Sequence, residues 1–363
     1  MKTLIFHMTN ESNKNLSYQH GWINAFRQDK RFKLTEINLA IFDNKLKKIK
    51  NFYKIKNFFL KKYDLIIFLH SSFSNGNYIP KFIINLISIK SSYKVFFVGN
   101  EYKLMPEKLK FCKKVNLNLF VTQSLDPDII KLYRDELKCE VMGIPGGGLN
   151  TDIFFPTKDF SERPIDIGLR TYDEPVYFGH QERRLIMNET IKISKNKNIN
   201  LDVSMEEKDR FSGNEWAKFL NNCKSLIGTN TGYDYFDLED KTRIEANMLD
   251  LKFTGNFEKI FNEYFKNLKK KHSMRIISGK NIEAAGCKTL QVLVEGDYGG
   301  YLQPNIHYIS VKKDLSNLDE CIEMINDENF CKSIIDNAYD ISIKKLTYKN
   351  HLDKFYNFIN IEN

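Results

Sequence analysis

Several patterns that assign a function directly are missing from this sequence. No Gly-x-Gly-x-x-Gly follows the first apolar run, where the chain continues Met8-Thr9-Asn10-Glu11-Ser12, which counts strongly against an NAD-dependent oxidoreductase. The cysteines show no Cys-x-x-Cys spacing and no histidine at ligand spacing, so neither a zinc site nor a disulfide framework is expected. Free thiols are typical of a reducing compartment. The six cysteines are Cys112, Cys139, Cys223, Cys287, Cys321 and Cys331.

Long hydrophobic runs are missing as well. The longest, such as residues 65–69, are far shorter than the roughly 20 residues of a membrane-spanning helix. Residues 1–7 are apolar but lack the charged start and the small-residue cleavage site of a secretory signal. We therefore expect a cytoplasmic protein, and a periplasmic binding protein, which needs an export signal, is disfavoured.

Length and charge limit the remaining classes. A chain of 363 residues is too long for one compact core of ordinary size, so two domains are expected. The net charge of +9 favours anionic partners such as phosphates, nucleotides or anionic lipid, although a lysine-rich composition alone is the alternative explanation. No zinc-finger, RNP-like or helix-turn-helix pattern supports a nucleic-acid partner.

Two series of short apolar runs alternate with helical patterns. The runs are continuous rather than alternating, as in strands that are buried on both faces of a parallel sheet. This order predicts an α/β protein with two doubly wound, Rossmann-like domains. The runs of the first series are 4–6, 65–69, 95–98, 119–121 and 140–142; those of the second are 165–167, 201–203, 225–227, 290–293 and 307–309.

The pattern breaks at Gly146, Gly147 and Gly148, which we interpret as a hinge because glycine relieves the steric limits on the backbone. We expect an N-terminal domain over residues 1–157 and a C-terminal domain over residues 158–345. A mainly helical insertion is predicted at about 234–275, with its best helix at 257–271. Residues 346–363 are predicted to form a helix that packs back on the N-terminal domain.

The densest candidate site lies at residues 277–293. Ser278 and Gly279 form a turn before a helix that begins near Lys280, and the free N–H groups of a helix start favour a phosphate. Lys280 adds a mobile positive charge, and Glu283, one turn further on, is placed to accept both hydroxyls of a ribose. The alternatives are a solvated lysine for Lys280 and an acid that stabilises the helix dipole for Glu283.

The segment Glu283-Ala284-Ala285-Gly286 resembles the Glu-Ala-x-x-Gly element of GT-B glycosyltransferases, whose glutamate holds the nucleotide ribose. Residues 141–156 are similar to the interdomain stretch of that superfamily. Residues 164–170, 228–232 and 295–298 resemble its CgeB-like branch, related to the glycosyltransferase family 4-like group. The likeness extends over roughly residues 119–345 and is specific in combination.

This resemblance implies a GT-B fold with an interdomain cleft and a C-terminal crossing helix. It also implies that the N-terminal domain (1–157) binds the acceptor and the C-terminal domain (158–345) binds the nucleotide-sugar. It implies transfer of a sugar from a UDP-, GDP- or CMP-linked donor to a glycan or lipid-linked acceptor, as in synthesis of bacterial capsule or lipopolysaccharide. No Asp-x-Asp metal motif of the GT-A type appears, so the resemblance implies no obligatory metal or other cofactor. The donor-binding residues it indicates are Arg170, Gly232, Ser278, Gly279, Lys280, Asn281, Glu283 and Tyr298.

Arg275 departs from the family pattern, because many GT-B enzymes have a second glutamate at that position, eight residues before the ribose-binding one. This keeps open a non-catalytic nucleotide- or glycan-binding protein on the same scaffold, since a fold does not determine an activity. Arg170, which follows the first strand of the second domain, is a candidate diphosphate contact, with a structural salt bridge as the alternative.

Candidate catalytic residues in the N-terminal half are His20, His70 and Glu101, because each is expected near the end of a strand or the start of a helix. An inverting enzyme needs such a base, whereas a retaining one does not. A satisfied polar residue is the alternative for each histidine. From Lys45 to Lys62, lysines alternate with aromatic and aliphatic residues, which suits either an anionic membrane surface or an ordinary helix with a solvated face.

Overall fold

A computed structural model of the chain describes residues 1–10, 17–42, 58–269 and 272–361. The chain forms two compact units. The first contains Met1–Gly146 and Phe236–Arg243, and the second contains Gly147–Tyr235 and Ile244–Asn363. The short segment Phe236–Arg243 therefore belongs to the first unit although it comes from the second half of the sequence.

The first unit is built on a six-stranded sheet with the strand order β2-β1-β3-β4-β5-β6, in which every neighbouring pair is parallel. The strands are β1 (Lys2–His7), β2 (Lys33–Asn38), β3 (Leu65–Phe68), β4 (Tyr93–Phe97), β5 (Leu119–Thr122) and β6 (Glu140–Gly143). The helices are α1 (Ser17–Gln28), α2 (Lys81–Ser88), α3 (Met105–Val115) and α4 (Pro127–Leu137).

Burial explains which strands the sequence predicts. All four residues of β3 and of β5 are buried, as a continuous apolar run requires. The edge strand β2 has only Ile37 fully buried, and the apolar pattern did not predict this strand. Helix α4 begins after a capping residue, Asp126, whose side chain accepts a 2.8 Å hydrogen bond from the backbone N–H of Asp128.

The second unit contains a five-stranded parallel sheet with the order β13-β12-β9-β7-β8. Its strands are β7 (Ile165–Arg170), β8 (Leu201–Ser204), β9 (Cys223–Gly228), β12 (Leu290–Val294) and β13 (Ile309–Val311). Its helices include α5 (Glu182–Ser194), α6 (Gly213–Asn222), α9 (Gly279–Gly286), α10 (Leu318–Glu323), α11 (Glu328–Lys345) and α12 (Tyr348–Ile361). The prediction of an α/β chain with two parallel sheets is confirmed.

Two helices and an antiparallel strand pair occupy the region between β9 and α9. Strand β10 (Thr231–Tyr233) pairs with β11 (Met274–Ile276), and these short strands were not predicted. Between them lie α7 (Lys241–Phe253) and α8 (Phe257–Glu263). Helix α8 ends well before residue 271 because Tyr264 and the short 3-10 helix after it interrupt the helical pattern.

The glycines at residues 146–148 are closely packed. The indole N–H of Trp22 donates a 2.8 Å hydrogen bond to the carbonyl of Gly146, in the first unit. In the second unit, Nε2 of His351 on α12 lies 3.1 Å from the carbonyl oxygen of Gly147. A Cβ at Gly148 would lie 2.9 Å from the backbone nitrogen of Tyr348, so this position requires glycine.

Candidate functional site

The candidate site lies at the carboxyl edge of the sheet in the second unit. Helices α5 and α6 begin on this side because they follow β7 and β8, and α9 begins here because it runs back to the start of β12. Ligands of open parallel sheets bind at this edge, next to the helix N-termini. The side chains of the first turns of these helices are therefore the ones to examine.

Helix α9 begins with a reciprocal cap. The hydroxyl oxygen of Ser278 accepts a 3.2 Å hydrogen bond from the N–H of Asn281, while the amide oxygen of Asn281 accepts from Ser278. The side-chain amide of Asn281 also donates to Gln291 at 3.0 Å. Both predicted donor-binding residues are thus engaged in shaping the helix start, which positions Gly279 and Lys280.

The charges of two arginines and of two acids, Glu283 and Glu207, act on Lys280. Its ammonium donates a hydrogen bond to the carbonyl of Arg170 and lies 5.8 Å from the ring centre of Trp216. Burial lowers the pKa of Lys280 to about 7, assisted by the neighbouring charges of Arg183 and Arg210. Among the described residues, no carboxylate lies within salt-bridge distance of this ammonium. A bound anion would relieve this unfavourable arrangement.

Glu283 lies on the same helix, one turn after Lys280. Its side chain is only 3% exposed, and Oε2 accepts a 2.8 Å hydrogen bond from the indole N–H of Trp216 on α6. A Cβ built at Gly279 would have Oε1 of Glu283 as its nearest neighbour, at 3.9 Å. The carboxylate therefore lies beside the first turn of α9 in a fixed orientation.

Arg170 is held within the unit by its own partners. Its guanidinium forms a 2.7 Å ion pair with Asp202 and stacks on the rings of Phe211 and Phe219, at 5.0 and 4.5 Å. This geometry favours the structural salt bridge over a diphosphate contact for the side chain. The residue contributes to the site through its carbonyl oxygen, which holds Lys280.

Arg183, in the first turn of α5, is a site residue that the sequence did not indicate. Its side chain is 9% exposed, lies 4.6 Å above the ring of Tyr172 and donates a 2.8 Å hydrogen bond to Thr231. Both oxygens of the buried Glu174 accept from its backbone N–H, at 3.1 and 3.0 Å. Within the part of the chain described here, Nη1 of Arg183 has no hydrogen-bond partner.

The position that departs from the family pattern is occupied by a neutralised arginine. Arg275 makes two 3.0 Å hydrogen bonds to the carboxylate of Glu182 and one of 2.9 Å to Asp234. A further bond of 3.1 Å joins it to the side-chain oxygen of Asn230. Two acids thus surround one arginine, and this cluster fixes the β10–β11 pair next to α5.

Gly232 and Tyr298 have structural environments. Gly232 has φ +113°, and a Cβ there would lie 1.8 Å from the carbonyl oxygen of Met274, so only glycine fits. Tyr298 is 1% exposed and donates a 2.7 Å hydrogen bond to the carbonyl of Val294. Burial raises the pKa of Tyr298 well above its usual value. Both residues shape the edge of the sheet rather than present a polar group there.

The two candidate histidines of the first unit differ in environment. His70 is 2% exposed among the rings of Tyr18, Trp22 and Phe97, and burial lowers its pKa to about 3. A group with this pKa is a weak base at neutral pH. His20 is half-buried, and its Nε2 has no hydrogen-bond partner among the described residues.

Glu101 belongs to a buried polar network. Its carboxylate accepts hydrogen bonds from the hydroxyls of Thr122 and Tyr133, at 2.7 and 2.6 Å, and from the N–H of Gln123 at 2.9 Å. Burial raises the pKa of Glu101 to about 7. Lys108, also fully buried, donates to the carbonyls of the loop before α3. These contacts favour a structural role for Glu101.

Other predicted features concern the surface and metals. Of the basic segment between Lys45 and Lys62, residues 45–57 lie outside the described residues. No described helix has the length and apolar character needed to cross a bilayer. The six cysteines are unpaired thiols, and the described residues contain no cluster of three or more potential metal ligands.

Comparison with known proteins gives a match in structure only. No protein-family model and no curated protein matches the chain. Sucrose-phosphate synthase from Thermosynechococcus elongatus aligns over the whole of both chains with a TM-score of 0.54 and 10% identity. Anabaena HepE, solved with UDP and glucose, aligns over 99% of both chains with a TM-score of 0.51 and 8% identity.

TarM from S. aureus, solved with fondaparinux, alpha-GlcNAc-glycerol and UDP, is a longer protein. The match covers 85% of this chain and 58% of TarM, with 13% identity and a TM-score of 0.50. This chain therefore spans little more than half the length of TarM. At such low identities the likeness establishes the fold alone.

Proposed function

We propose that this chain, which has the GT-B fold, is a glycosyltransferase that binds a nucleotide-sugar donor in its second unit. The observation that supports this most is the position of Lys280 and Glu283 on the first turns of α9. One is an ammonium that forms no salt bridge among the described residues, and the other is a carboxylate with a fixed orientation. A nucleoside diphosphate carries the complementary groups, an anionic diphosphate and a ribose with two hydroxyls.

In this proposal Lys280 and Arg183 bind the diphosphate, and Glu283 accepts hydrogen bonds from the ribose. Arg183 is included because its Nη1 is unpartnered among the described residues and its charge acts on Lys280. UDP is the first nucleotide to test, because it is present in the structures of HepE and TarM that share the fold. GDP and CMP are tested beside UDP as the alternative nucleotides of the donor.

The acceptor belongs to the first unit in this proposal, and a glycan or lipid-linked acceptor of bacterial surface polysaccharide is the class we infer. The GT-B resemblance supports this assignment. Both histidines have a ring nitrogen without a hydrogen-bond partner in the described residues, and His20 is favoured because it is half-buried whereas His70 is fully buried. The proposed location is the cytoplasm, at the inner face of the membrane.

One observation supports a second function, a non-catalytic nucleotide- or glycan-binding protein. Arg275 is held by Glu182 and Asp234, in the position where many GT-B enzymes have a glutamate. An enzyme that needs a carboxylate there would have lost activity while it retained the fold.

A ligand-induced shift in melting temperature tests whether the chain binds a nucleotide or nucleotide-sugar. UDP, GDP, CMP and their sugars are added to the whole chain, and at least one is expected to raise the melting temperature. If none does, the donor site is wrong. Incubation of the stabilising donor with candidate acceptors then separates the two functions, because a sensor binds the donor without forming product.

A further inference from the structure

Helix α7 (Lys241–Phe253) has apolar residues on two opposite faces. Its inner face packs into a small core of the second unit, where Ala246 is fully buried and Leu249 and Phe253 are partly buried. Ile260 and Phe265 complete this core, both fully buried. The inner face therefore accounts for the attachment of α7 to its own unit.

The outer face of α7 consists of Ile244, Met248 and Leu251. These residues are spaced by four and three positions, so their side chains form one stripe along the helix. They are 47%, 61% and 85% exposed. Single exposed apolar residues are ordinary, but three in one stripe form a surface that is suited to contact with another apolar phase.

Cations outnumber acids over residues 241–269, the stretch that contains α7 and α8. Glu263 is one of the exposed acids of this region and is already paired with Lys252, at 3.5 Å. Glu258 is another exposed acid on α8, and α7 itself carries the half-exposed acids Glu245 and Asp250 and the half-exposed Arg243. The exposed lysines of the same region are Lys241, Lys252, Lys259, Lys266 and Lys269. The outer face of α7 is thus accompanied by an excess of positive charge.

A second protein molecule is a poor fit to this face. Stable protein interfaces use roughly 20–30 residues on each side, and their centres are poor in lysine. A bilayer requires less, because a few apolar side chains enter the interfacial layer while lysines contact anionic headgroups. Size and charge together therefore favour an anionic lipid surface.

We propose that the outer face of α7 docks this chain on an anionic lipid bilayer, with Ile244, Met248 and Leu251 inserted between the headgroups. The inference extends the proposed function, since a lipid-linked acceptor would be reached at that surface. It is independent of the basic segment between Lys45 and Lys62. The docking residues also lie outside the donor site, so the two can be altered separately.

Sedimentation with lipid vesicles tests the docking. The double variant Met248→Ser/Leu251→Ser is compared with wild type on vesicles of phosphatidylcholine containing roughly 30% phosphatidylglycerol, and on phosphatidylcholine alone. Leu185→Ser is the matched control, because Leu185 is a 54% exposed leucine on α5 of the same unit. We expect the double variant to lose about tenfold in binding to the anionic vesicles, and the control to bind like wild type.

Equal binding of wild type and the double variant would overturn the proposal, as would equal loss in the control. Light scattering without lipid tests the alternative that a second copy of the chain binds the outer face of α7. A dimer of the wild type together with a monomer of the double variant would identify this face as an interface between copies and overturn the proposal. The shift in melting temperature with UDP is measured for every variant. A chain that binds anionic vesicles through α7 but shows no such shift would leave the docking intact and contradict the proposed function.

Discussion

The indole N–H of Trp216 and the carboxylate of Glu283 are joined by a 2.8 Å hydrogen bond between residues 67 positions apart in the sequence. Trp216 stacks on Phe219, with ring centres 5.5 Å apart, so the indole is itself fixed on α6. The bond orients a carboxylate that is almost fully buried. An oriented acceptor loses little freedom when a ligand binds, which is the general advantage of a preorganised site.

Replacing Glu283 with Gln keeps the shape of the side chain and removes its charge. A hydrogen bond to a charged group contributes about 1.5–3 kcal/mol, so the affinity for UDP should fall roughly tenfold to a hundredfold. Isothermal titration calorimetry measures the change. Glu215→Gln is the control, since Glu215 is an exposed acid next to Trp216 and should leave affinity unchanged. If Glu283→Gln binds UDP like wild type, the ribose assignment is wrong.

Arg183 and Arg184 are adjacent and allow a comparison of a buried with an exposed arginine. Arg184 pairs with Asp173 on the surface, whereas Arg183 is buried beside Glu174. Arg183→Gln should weaken UDP binding about tenfold or more, because a charge-assisted bond to phosphate is lost. Binding of uridine, which has no phosphate, should be unaffected.

The same titrations on Arg184→Gln provide the control, with no change expected for either ligand. A similar loss of UDP affinity in both variants would indicate a general effect of charge rather than a contact. Asp173→Asn and Glu174→Gln extend the comparison to the partners. Only Glu174→Gln should weaken UDP binding, because Glu174 holds the backbone and the side chain of Arg183.

The sequence predicts the features that are formed by residues close to one another along the chain, such as strands and helix faces. The buried runs of β3 and β5 identify strands, and the spacing of Lys280 and Glu283 on α9 predicts that they share a helix face. Arg183 was not predicted because a long loop separates it from the end of β7, and the residues directly after a strand are the ones expected to contact a phosphate. Trp216 gave no signal, since its contact with Glu283 depends on the packing of α6 against α9.

Glu101 is a predicted catalytic residue whose structural contacts the sequence does not reveal. Its position after β4 is typical of a functional acid, and only the fold reveals the hydroxyls of Thr122 and Tyr133 that surround it. A residue type and a place in the topology are visible in a sequence. The number of donors that converge on a carboxylate is not, because they come from separate elements.

Asp240 caps helix α3 from a distant part of the sequence. Its carboxylate accepts hydrogen bonds from the N–H groups of Leu104 and Met105, at 2.6 and 3.2 Å, where Leu104 provides no cap of its own. Loss of a cap costs about 0.5–2 kcal/mol, so Asp240→Ala should lower the urea concentration at the unfolding midpoint. The exposed neighbour Glu239 supplies the control Glu239→Gln, and equal midpoints for the two variants would refute the capping role.

The last prediction concerns the pH dependence of nucleotide binding. Burial, with the charges of Arg183 and Arg210, lowers the pKa of Lys280 to about 7, while Glu283 and Glu207 oppose the shift. A bound diphosphate stabilises the charged ammonium and raises this pKa, so the complex takes up a proton at pH values above 7. Affinity for UDP should therefore fall as pH rises from about 7 to 9, by at most about one log unit per pH unit. The phosphate of UDP titrates near pH 6 and contributes little in this window.

Lys280→Arg is the decisive control. A guanidinium stays charged throughout this range, so the affinity of this variant for UDP should be nearly independent of pH. Calorimetry in buffers of different ionisation enthalpy counts the protons directly. If wild type and Lys280→Arg show the same slope, Lys280 does not titrate in this range and the predicted pH dependence is wrong.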